Sequence, residues 1–453
     1  MSSATAAYLD FLEKIRFEQI PKEAIRQAKR SILDCLGVGI AASANPEISR
    51  IIIEYLSQIG AAPKSTIIRL GIKTSVPEAA FANGILCHYM DYDDINWVYT
   101  GHFSTVVVPA ILAMGEAIGA NGKEALVAYL ASHEITCKIG RAIVENGDHY
   151  RRGWHSTGTL GTLSSGLAMA KLMHLNSLQS NNMLGMAVGQ ASGLKINFGT
   201  MAKPFQAGHA SRNGVVAAIL ASNGMTAASN AIEAPRGFCE ITSNTYDKTK
   251  LNEPLGHSWE ILEPNKGVIF KLYPVLGGGM GIIDSVIDLS KKFDISSNDV
   301  ARVVCTLREE MAASLSQGIP RTPLEGKFNI PFWVATALIE HEVTPSHFTD
   351  AQVKDPAVRD LMSKVNVQYS SKLKREDGAN IEIILKDGKN YSRRTWPPKG
   401  APDNPPSDAD LYAKFIGCAK FGGVDEKEAG IIAKLVMSLE TLTDMRDLTK
   451  HLK

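Results

Sequence analysis

Apolar positions recur at helical spacing through the first half of the chain. Ile25, Ala28, Ile32, Leu33 and Leu36 fall on one face after Pro21, a residue suited to a first helical turn. Residues 46–59 repeat the pattern in shorter form. Segments 104–140, 156–175 and 181–224 are rich in Ala, Gly, Ser, Met and Leu and poor in charge. Helices apolar on most faces are buried, and small residues let their axes approach closely. The pattern predicts a large helical core with central helices surrounded by others. Pro109 interrupts the most apolar stretch, 105–114, which is too short to span a bilayer.

The periodicity changes after about residue 265. Residues 300–307, VARVVCTL, form a short β-branched run. Residues 381–385, the pair Asp387-Gly388, then residues 389–394 read as strand, tight turn and strand. Residues 331–341 and 355–364 read as helices between them. This is an α+β segment, expected to pair antiparallel. Five prolines between 397 and 406 make a stiff linker, and 407–452 returns to amphipathic helix. The fold class is mostly α: a large all-helical domain, residues 1–265 completed by 405–453, and a smaller α+β domain, residues 266–404.

Composition narrows the function classes. The chain has 453 residues, with 48 Lys plus Arg against 47 Asp plus Glu, a formal net charge of +1. That balance offers no footprint for nucleic acid or an anionic membrane. The six cysteines are scattered, with no CxxC, so free thiols of a reducing compartment are expected. The N-terminal stretch carries Asp10, Glu13 and Lys14 and lacks the apolar core of a signal peptide. A cytoplasmic or organelle-matrix protein is the expectation.

Four clusters could carry chemistry. In the first, His88, Asp91, Asp93 and Asp94 precede His102. Clustered carboxylates raise one another's pKa and suit proton transfer. Their spacing matches no standard metal motif, so no metal is expected. The plain alternative is an Asp-rich loop capping a helix that begins near Ser104. The second cluster runs from Tyr150 through Arg151 and Arg152 to His155. Ser156 or Thr157 would cap the next helix and set His155 beside its N-terminus. The third, residues 203–209, interrupts two apolar helical stretches and holds Lys203. The fourth holds Lys271 in VIFKLYP. Lysines with such apolar neighbours either face a buried anion or snorkel to the surface. Glycines 277–279 and 281 form no dinucleotide or phosphate motif. No GxSxG is present, so no nucleophilic triad is read.

Taken in order, these pieces resemble the MmgE/PrpD family. The residues concerned are His88-x-x-Asp91-x-Asp93-Asp94, His102, Gly153-x-His155, Lys203-Pro204-x-x-x-Gly208 and Phe270-Lys271-x-Tyr273-Pro274. Leu33-Asp34-Cys35-Leu36-Gly37 and Ala80-x-x-Asn83-Gly84 add to them. The resemblance implies a helical domain with a smaller α+β lid, a homodimer, and a site between the domains that needs no cofactor. Carried over, Asp91, His102, His155, Lys203 and Lys271 become that pocket. The implied activity is that of a lyase removing water from a small hydroxy-polycarboxylate such as 2-methylcitrate. The expected catalytic residues are Asp91, His102, His155 and Tyr150, with Lys203, Lys271, Asp93 and His88 binding a di- or tricarboxylate substrate. Two other uses of such a pocket stay open. One is epimerisation of an aminodicarboxylate-type acid, with Tyr150 and Lys203 as the proton carriers. The other is decarboxylation of a cis-aconitate-like acid. Leu276 and Met280 stand where many members carry protonatable side chains, and Ile95 stands where Thr is common, so the substrate need not be a familiar one.

Overall fold

The computed structural model describes residues 3–316, 318–374 and 377–453. These form two compact units. The first comprises residues 3–196, 202–270 and 407–453, and the second residues 197–201 with 271–406.

The first unit is helical. Its main helices are α1 (Ala4–Lys14), α2 (Lys22–Ser43), α3 (Pro46–Ile59), α4 (Val76–Tyr89), α5 (Ser104–Ile118), α6 (Gly122–Gly140), α7 (Ser156–Leu172), α8 (Ser177–Gln190) and α9 (Ala202–Ser222). Two-residue strands β1 (Ser65–Thr66) and β2 (Lys73–Thr74) pair beside them, as do β3 (Ile95–Asn96) and β4 (Val268–Ile269). Short helices α10 (Phe238–Thr242) and α11 (Lys248–Leu251) follow α9. Local chemistry sets several ends. Asn45 caps α3 by accepting from Glu47 and Ile48, with Pro46 at the first helical position. Asn121 and Glu124 form a reciprocal capping box on α6.

The crossing of α4 and α9 positions the site. A Cβ on Gly84 would lie 2.8 Å from the Gly208 Cα, and one on Gly208 would lie 2.4 Å from the Phe81 carbonyl oxygen. Only glycine at both positions lets the two backbones meet so closely. The contact brings the C-terminal end of α4 and the first turns of α9 into one neighbourhood.

Three expectations are corrected here. The helix α5 runs straight through Pro109. Residues 203–209 do not interrupt a helix. They open α9, where Pro204 sits in the first turn and its missing N–H costs nothing. The cap of α7 is His155, not Ser156 or Thr157, and its side chain makes no cap bond.

The second unit is built on a four-stranded sheet of order β6-β5-β7-β8. The strands are β5 (Val300–Arg308), β6 (Val365–Ser370), β7 (Ala379–Leu385) and β8 (Asn390–Thr395). The hairpin β7–β8 turns at Asp387-Gly388 as expected, with Gly388 at φ 87°. The pairing is not wholly antiparallel, because β6 lies parallel to β5 with Cys305 opposite Val367. Parallel neighbours need a long crossover. Here it contains α13 (Pro323–Gly326), α14 (Ile330–Glu340), α15 (Asp350–Lys354) and α16 (Pro356–Ser363), with α12 (Met280–Lys292) preceding β5. Val303, Cys305, Ile381 and Ile383 pack with Val286, Phe332 and Trp333 in one core.

The chain ends in α17 (Asp408–Phe421), α18 (Glu426–Met437) and α19 (Arg446–Thr449), all in the first unit. Lys414 ties this return to the helical core. Its ammonium lies 2.6 Å from Asp34 on α2 and donates to the Tyr92 carbonyl at 2.7 Å. All six cysteines are buried free thiols. No described helix is long and apolar enough to cross a membrane.

Candidate active site

The site grows from the end of α4. Asp91 takes φ 50°, and its N–H donates to the His88 carbonyl at 3.1 Å. Aspartate tolerates this left-handed conformation better than most residues. The turn brings the chain back so that Asp93 meets His88, with Nδ1 at 2.9 and 3.1 Å from its two carboxylate oxygens. Five residues separate the two, a spacing that no regular helix would bring together.

His102 closes on the same carboxylate. Its Nδ1 lies 2.8 Å from Asp93 Oδ2, and its Nε2 lies 4.0 Å from Asp91 Oδ1. The loop before it is stiff. Asn96 and Gly101 exchange backbone hydrogen bonds at 2.8 and 3.2 Å. The Asn96 amide reaches His133 Nε2 on α6 at 3.1 Å. A Cβ on Gly101 would lie 2.4 Å from the Tyr99 ring, so the loop requires glycine there. The His102 N–H donates to Thr157 Oγ1 at 3.1 Å, fastening the loop to the first turn of α7.

His155 enters from the start of α7. Its N–H donates to the Gly193 carbonyl at 2.9 Å, and its Nδ1 lies 2.6 Å from Gln206 Oε1 on α9. One turn earlier on α9, the Lys203 ammonium donates to Asp91 Oδ1 at 2.7 Å. The three imidazoles gather around His88, whose ring centroid is 4.4 Å from that of His102 and 6.1 Å from that of His155. Every one of these side chains is buried.

Burial and neighbours set the charges. Burial works against a charge on Asp93, but His102 and His88 outweigh it and hold the carboxyl well below the usual range. A nitrogen that close to an ionised carboxylate carries the hydrogen, so His88 and His102 present Nδ1–H to Asp93. Burial pushes the His88 imidazole down, with Lys203 adding to it and Asp93 opposing it. His155 lies well below its ordinary value, through burial first and then the Lys203 charge. Both rings are therefore neutral near pH 7.

Asp94, next along the chain, behaves oppositely to Asp93. Burial first, with the charges of Asp34 and Asp93, pushes it up to about 8, against the hydrogen bonds of Ser104 and Ser31. Ser104 Oγ bridges Asp94 Oδ2 at 2.7 Å and the Tyr129 hydroxyl at 2.8 Å. Asp94 thus joins the loop to the start of α5 through the Ser104 hydroxyl, but it does not cap the helix as expected, because the cap position is Phe103 and no side chain among the described residues bonds the first-turn N–H groups.

Residues 7–250 match the MmgE/PrpD N-terminal domain, and residues 273–440 match the MmgE/PrpD C-terminal domain. The chain belongs to the MmgE/PrpD family. Among similar proteins, the cis-aconitate decarboxylase of Homo sapiens is 27% identical, covering 100% of this chain and 95% of its own length. Those of Mus musculus and Aspergillus terreus are 26% and 25% identical, each aligned over 100% of this chain and 94% and 96% of their own. Family and relatives together support a lyase-type enzyme.

Within this MmgE/PrpD protein, the clusters at His88–Asp94, His102, His155 and Lys203 form one constellation. Tyr150 is engaged with Lys195, whose ammonium lies 3.8 Å from its ring centroid. Lys271 is buried and opens the second unit, two residues past β4. Of the unusual positions, Ile95 pairs with Ile269 in the β3–β4 ladder, and Met280 is buried at the start of α12. A surface groove of about 530 Å³ lies elsewhere in the first unit, lined by Arg16, Lys123, Lys171 and His174, and holds none of the site residues.

His88, Asp91, Asp93 and His102 bring atoms of metal-binding type within 4.8 Å of one another, a grouping their spacing did not announce. Asp93 is already shared by two imidazoles and Asp91 carries the Lys203 ammonium. A cation would have to displace those partners. Gln206 and Asn96 carry no signal in the sequence, and Thr157, expected as a helix cap, instead accepts from the His102 N–H. None is titratable, so only their place beside a histidine in the fold identifies them.

Proposed function

We propose that this protein is a lyase that removes water from a small hydroxy-di- or tricarboxylate of the 2-methylcitrate type, using imidazoles as proton carriers. One observation carries the reading: three imidazoles meet, each held through Nδ1, and two are kept neutral by burial. Neutral imidazoles are bases, which suits a reaction that begins by taking a proton from carbon.

In this reading His155 removes the proton beside a substrate carboxylate. The C–H electron pair becomes the new double bond as the C–O bond breaks. His102, with an aspartate facing each ring nitrogen, supplies a proton to the departing hydroxyl, which leaves as water. Lys203 steadies the charge that builds on the substrate carboxylate, while Asp91 holds its ammonium in place. The elimination releases water with no electrons given to or taken from an outside group, so in this reading the reaction requires no redox cofactor. On the family resemblance, the working form is a homodimer, which light scattering checks.

A second reading, decarboxylation of a cis-aconitate-like acid, is favoured by the names of the full-length relatives. Incubation with 2-methylcitrate, citrate and cis-aconitate separates the two. Rising absorbance near the ultraviolet edge without CO2 release supports dehydration. CO2 release from cis-aconitate replaces it with decarboxylation. Deuterium exchange at carbon without either signal would point to an epimerase. Activity abolished by EDTA and restored by one metal ion would overturn the cofactor-free part.

A further inference from the structure

We propose that Gln206 is a positioning residue, which locks neutral His155 as the Nδ1–H tautomer and leaves the Nε2 lone pair as the base. The inference rests on the proton-transfer reading above and adds to it the device that makes one particular nitrogen the base.

One partner of Gln206 can only accept. The Gln206 amide nitrogen donates to the Leu194 carbonyl at 3.1 Å. A backbone carbonyl has no hydrogen to give, so the amide NH2 must face it and the amide oxygen must face the other way. That oxygen lies 2.6 Å from His155 Nδ1. Since an amide oxygen also only accepts, the hydrogen between them belongs to the ring. A neutral imidazole with its hydrogen on Nδ1 has its lone pair on Nε2.

The surroundings prevent the amide from turning over. Trp154 and Leu194 form an isolated bridge, flanked by His155 N–H to the Gly193 carbonyl at 2.9 Å and Lys195 N–H to the Gly153 carbonyl at 2.9 Å. This short ladder fixes the Leu194 carbonyl and the His155 backbone to each other. A Cβ on Gly193 would lie 3.2 Å from Gln206 Oε1 and 3.5 Å from the His155 Cβ. A side chain there would crowd the pair, so the absence of one keeps the bond short. Gln206 itself is 7% exposed and His155 1%, so water does not compete readily for either partner.

The charged and titratable groups around His155 act in the same direction. Burial comes first in disfavouring its imidazolium, followed by Lys203 from α9, His88 from the end of α4 and His102 from the loop before α5, while the Gln206 bond favours it. An amide partner is neutral, so it fixes the tautomer without the strong charging effect of a carboxylate. His88 and His102 meet Asp93 instead, and the three rings thus have two kinds of anchor.

The test labels histidine nitrogens with 15N and follows the His155 signal, assigned by its loss in His155→Gln. Wild type at pH 7 is expected to show a protonated Nδ1 and a bare Nε2. In Gln206→Leu the lock is gone. The tautomers mix, and kcat falls roughly ten- to a hundredfold with little change in KM, the size seen when an outer partner of a working imidazole is removed. Gln206→Glu keeps an acceptor on Nδ1, so the tautomer is retained, but its charge moves the acidic limb of the kcat profile to higher pH. A wild-type ring protonated on Nε2, or charged at pH 7, overturns the proposal. So does Gln206→Leu with an unchanged tautomer and pH profile. The tautomer signals need no substrate. If they behave as expected while no hydroxy acid is turned over, the dehydratase reading fails and the lock stands.

Discussion

Two buried clusters of charge in the first unit differ in what their side chains have left to offer. One surrounds Glu260. Arg141 grips both its carboxylate oxygens, at 2.9 and 2.7 Å, and Lys138 adds a third bond at 2.7 Å. The same guanidinium reaches Glu145 and Glu263. Burial opposes the Glu260 charge, but these bonds hold its carboxyl below the ordinary value. Every strong group there is spent on holding the chain. Around Asp93, by contrast, the imidazoles are anchored through Nδ1, and that of His88 has no hydrogen-bond partner for Nε2 among the described residues. A brace consumes its donors and acceptors, whereas a reaction site fixes one end of each and keeps the other for substrate.

That difference is broken most sharply by His102→Asn. A lost general acid or base costs about 10²–10⁴ in kcat. The melting temperature should stay near wild type, because Thr157 and the Asn96–Gly101 ladder still hold the loop. If kcat stays above about a tenth of wild type, given the size of proton-transfer effects, the acid–base role is wrong. If melting temperature falls together with activity, the Asp93 cluster is a second brace.

The mirror experiment is Glu260→Gln. Removing one member of a buried ion pair strands its partners and costs about 3–5 kcal/mol of stability. Chemical denaturation should show that loss, while kcat measured well below the transition stays near wild type. A large fall in kcat with normal stability would place this cluster in the reaction and erase the contrast.

Lys203→Ala tests the group that belongs partly to both kinds of cluster, since its ammonium is paired with Asp91 yet sits among the imidazoles. A lost charge-assisted bond is worth roughly 1.5–3 kcal/mol, or about ten- to a hundredfold in kcat/KM. The change should fall mainly on KM. A larger drop in kcat would make Lys203 a proton carrier and favour epimerisation.

Much of this was legible in the sequence, and the gaps have physical causes. The α5, α14 and β7–β8 elements follow from apolar periodicity and the Asp387-Gly388 turn, which are local signals. The start of α9 was misread because Pro204 and Gly208 look like helix breakers. Proline is harmless in a first turn, and Gly208 serves the contact with Gly84, which lies too far away in the chain to leave a local pattern. The parallel pairing of β6 depends on a crossover that local patterning does not reveal, although Val365, Val367 and Tyr369 do alternate. Asp91, Asp93, His102, His155 and Lys203 stood out as charge in apolar surroundings. Which of them touch was fixed by a left-handed Asp91 and a helix crossing, neither visible in spacing.

The last effect is the most diagnostic of the loop itself. Asp93 and Asp94 are adjacent and both buried, yet one is held ionised and the other is pushed up to about 8. An acid whose folded pKa is raised contributes stability that is fully present below its unfolded value, about 3.9, and is lost as pH rises towards the folded one. In that interval the unfolded chain has released the proton and the folded chain has not, so each step up in pH favours unfolding. Asp94→Asn removes this titration while retaining an oxygen to accept from Ser104. The variant should therefore lack the loss of stability that wild type shows between about pH 4 and 8, and should melt higher than wild type at pH 8. For a chain of this size each kcal/mol corresponds to about 1 °C, so a shift of a few degrees is measurable by calorimetry. Asp93→Asn should do the reverse, losing stability at neutral pH, because its charge is what both imidazoles are bonded to. If Asp94→Asn melts lower at pH 8, Asp94 is ionised in the fold. The loop would then be charged at both aspartates, and its likeness to the Glu260 brace would be closer than the geometry indicates.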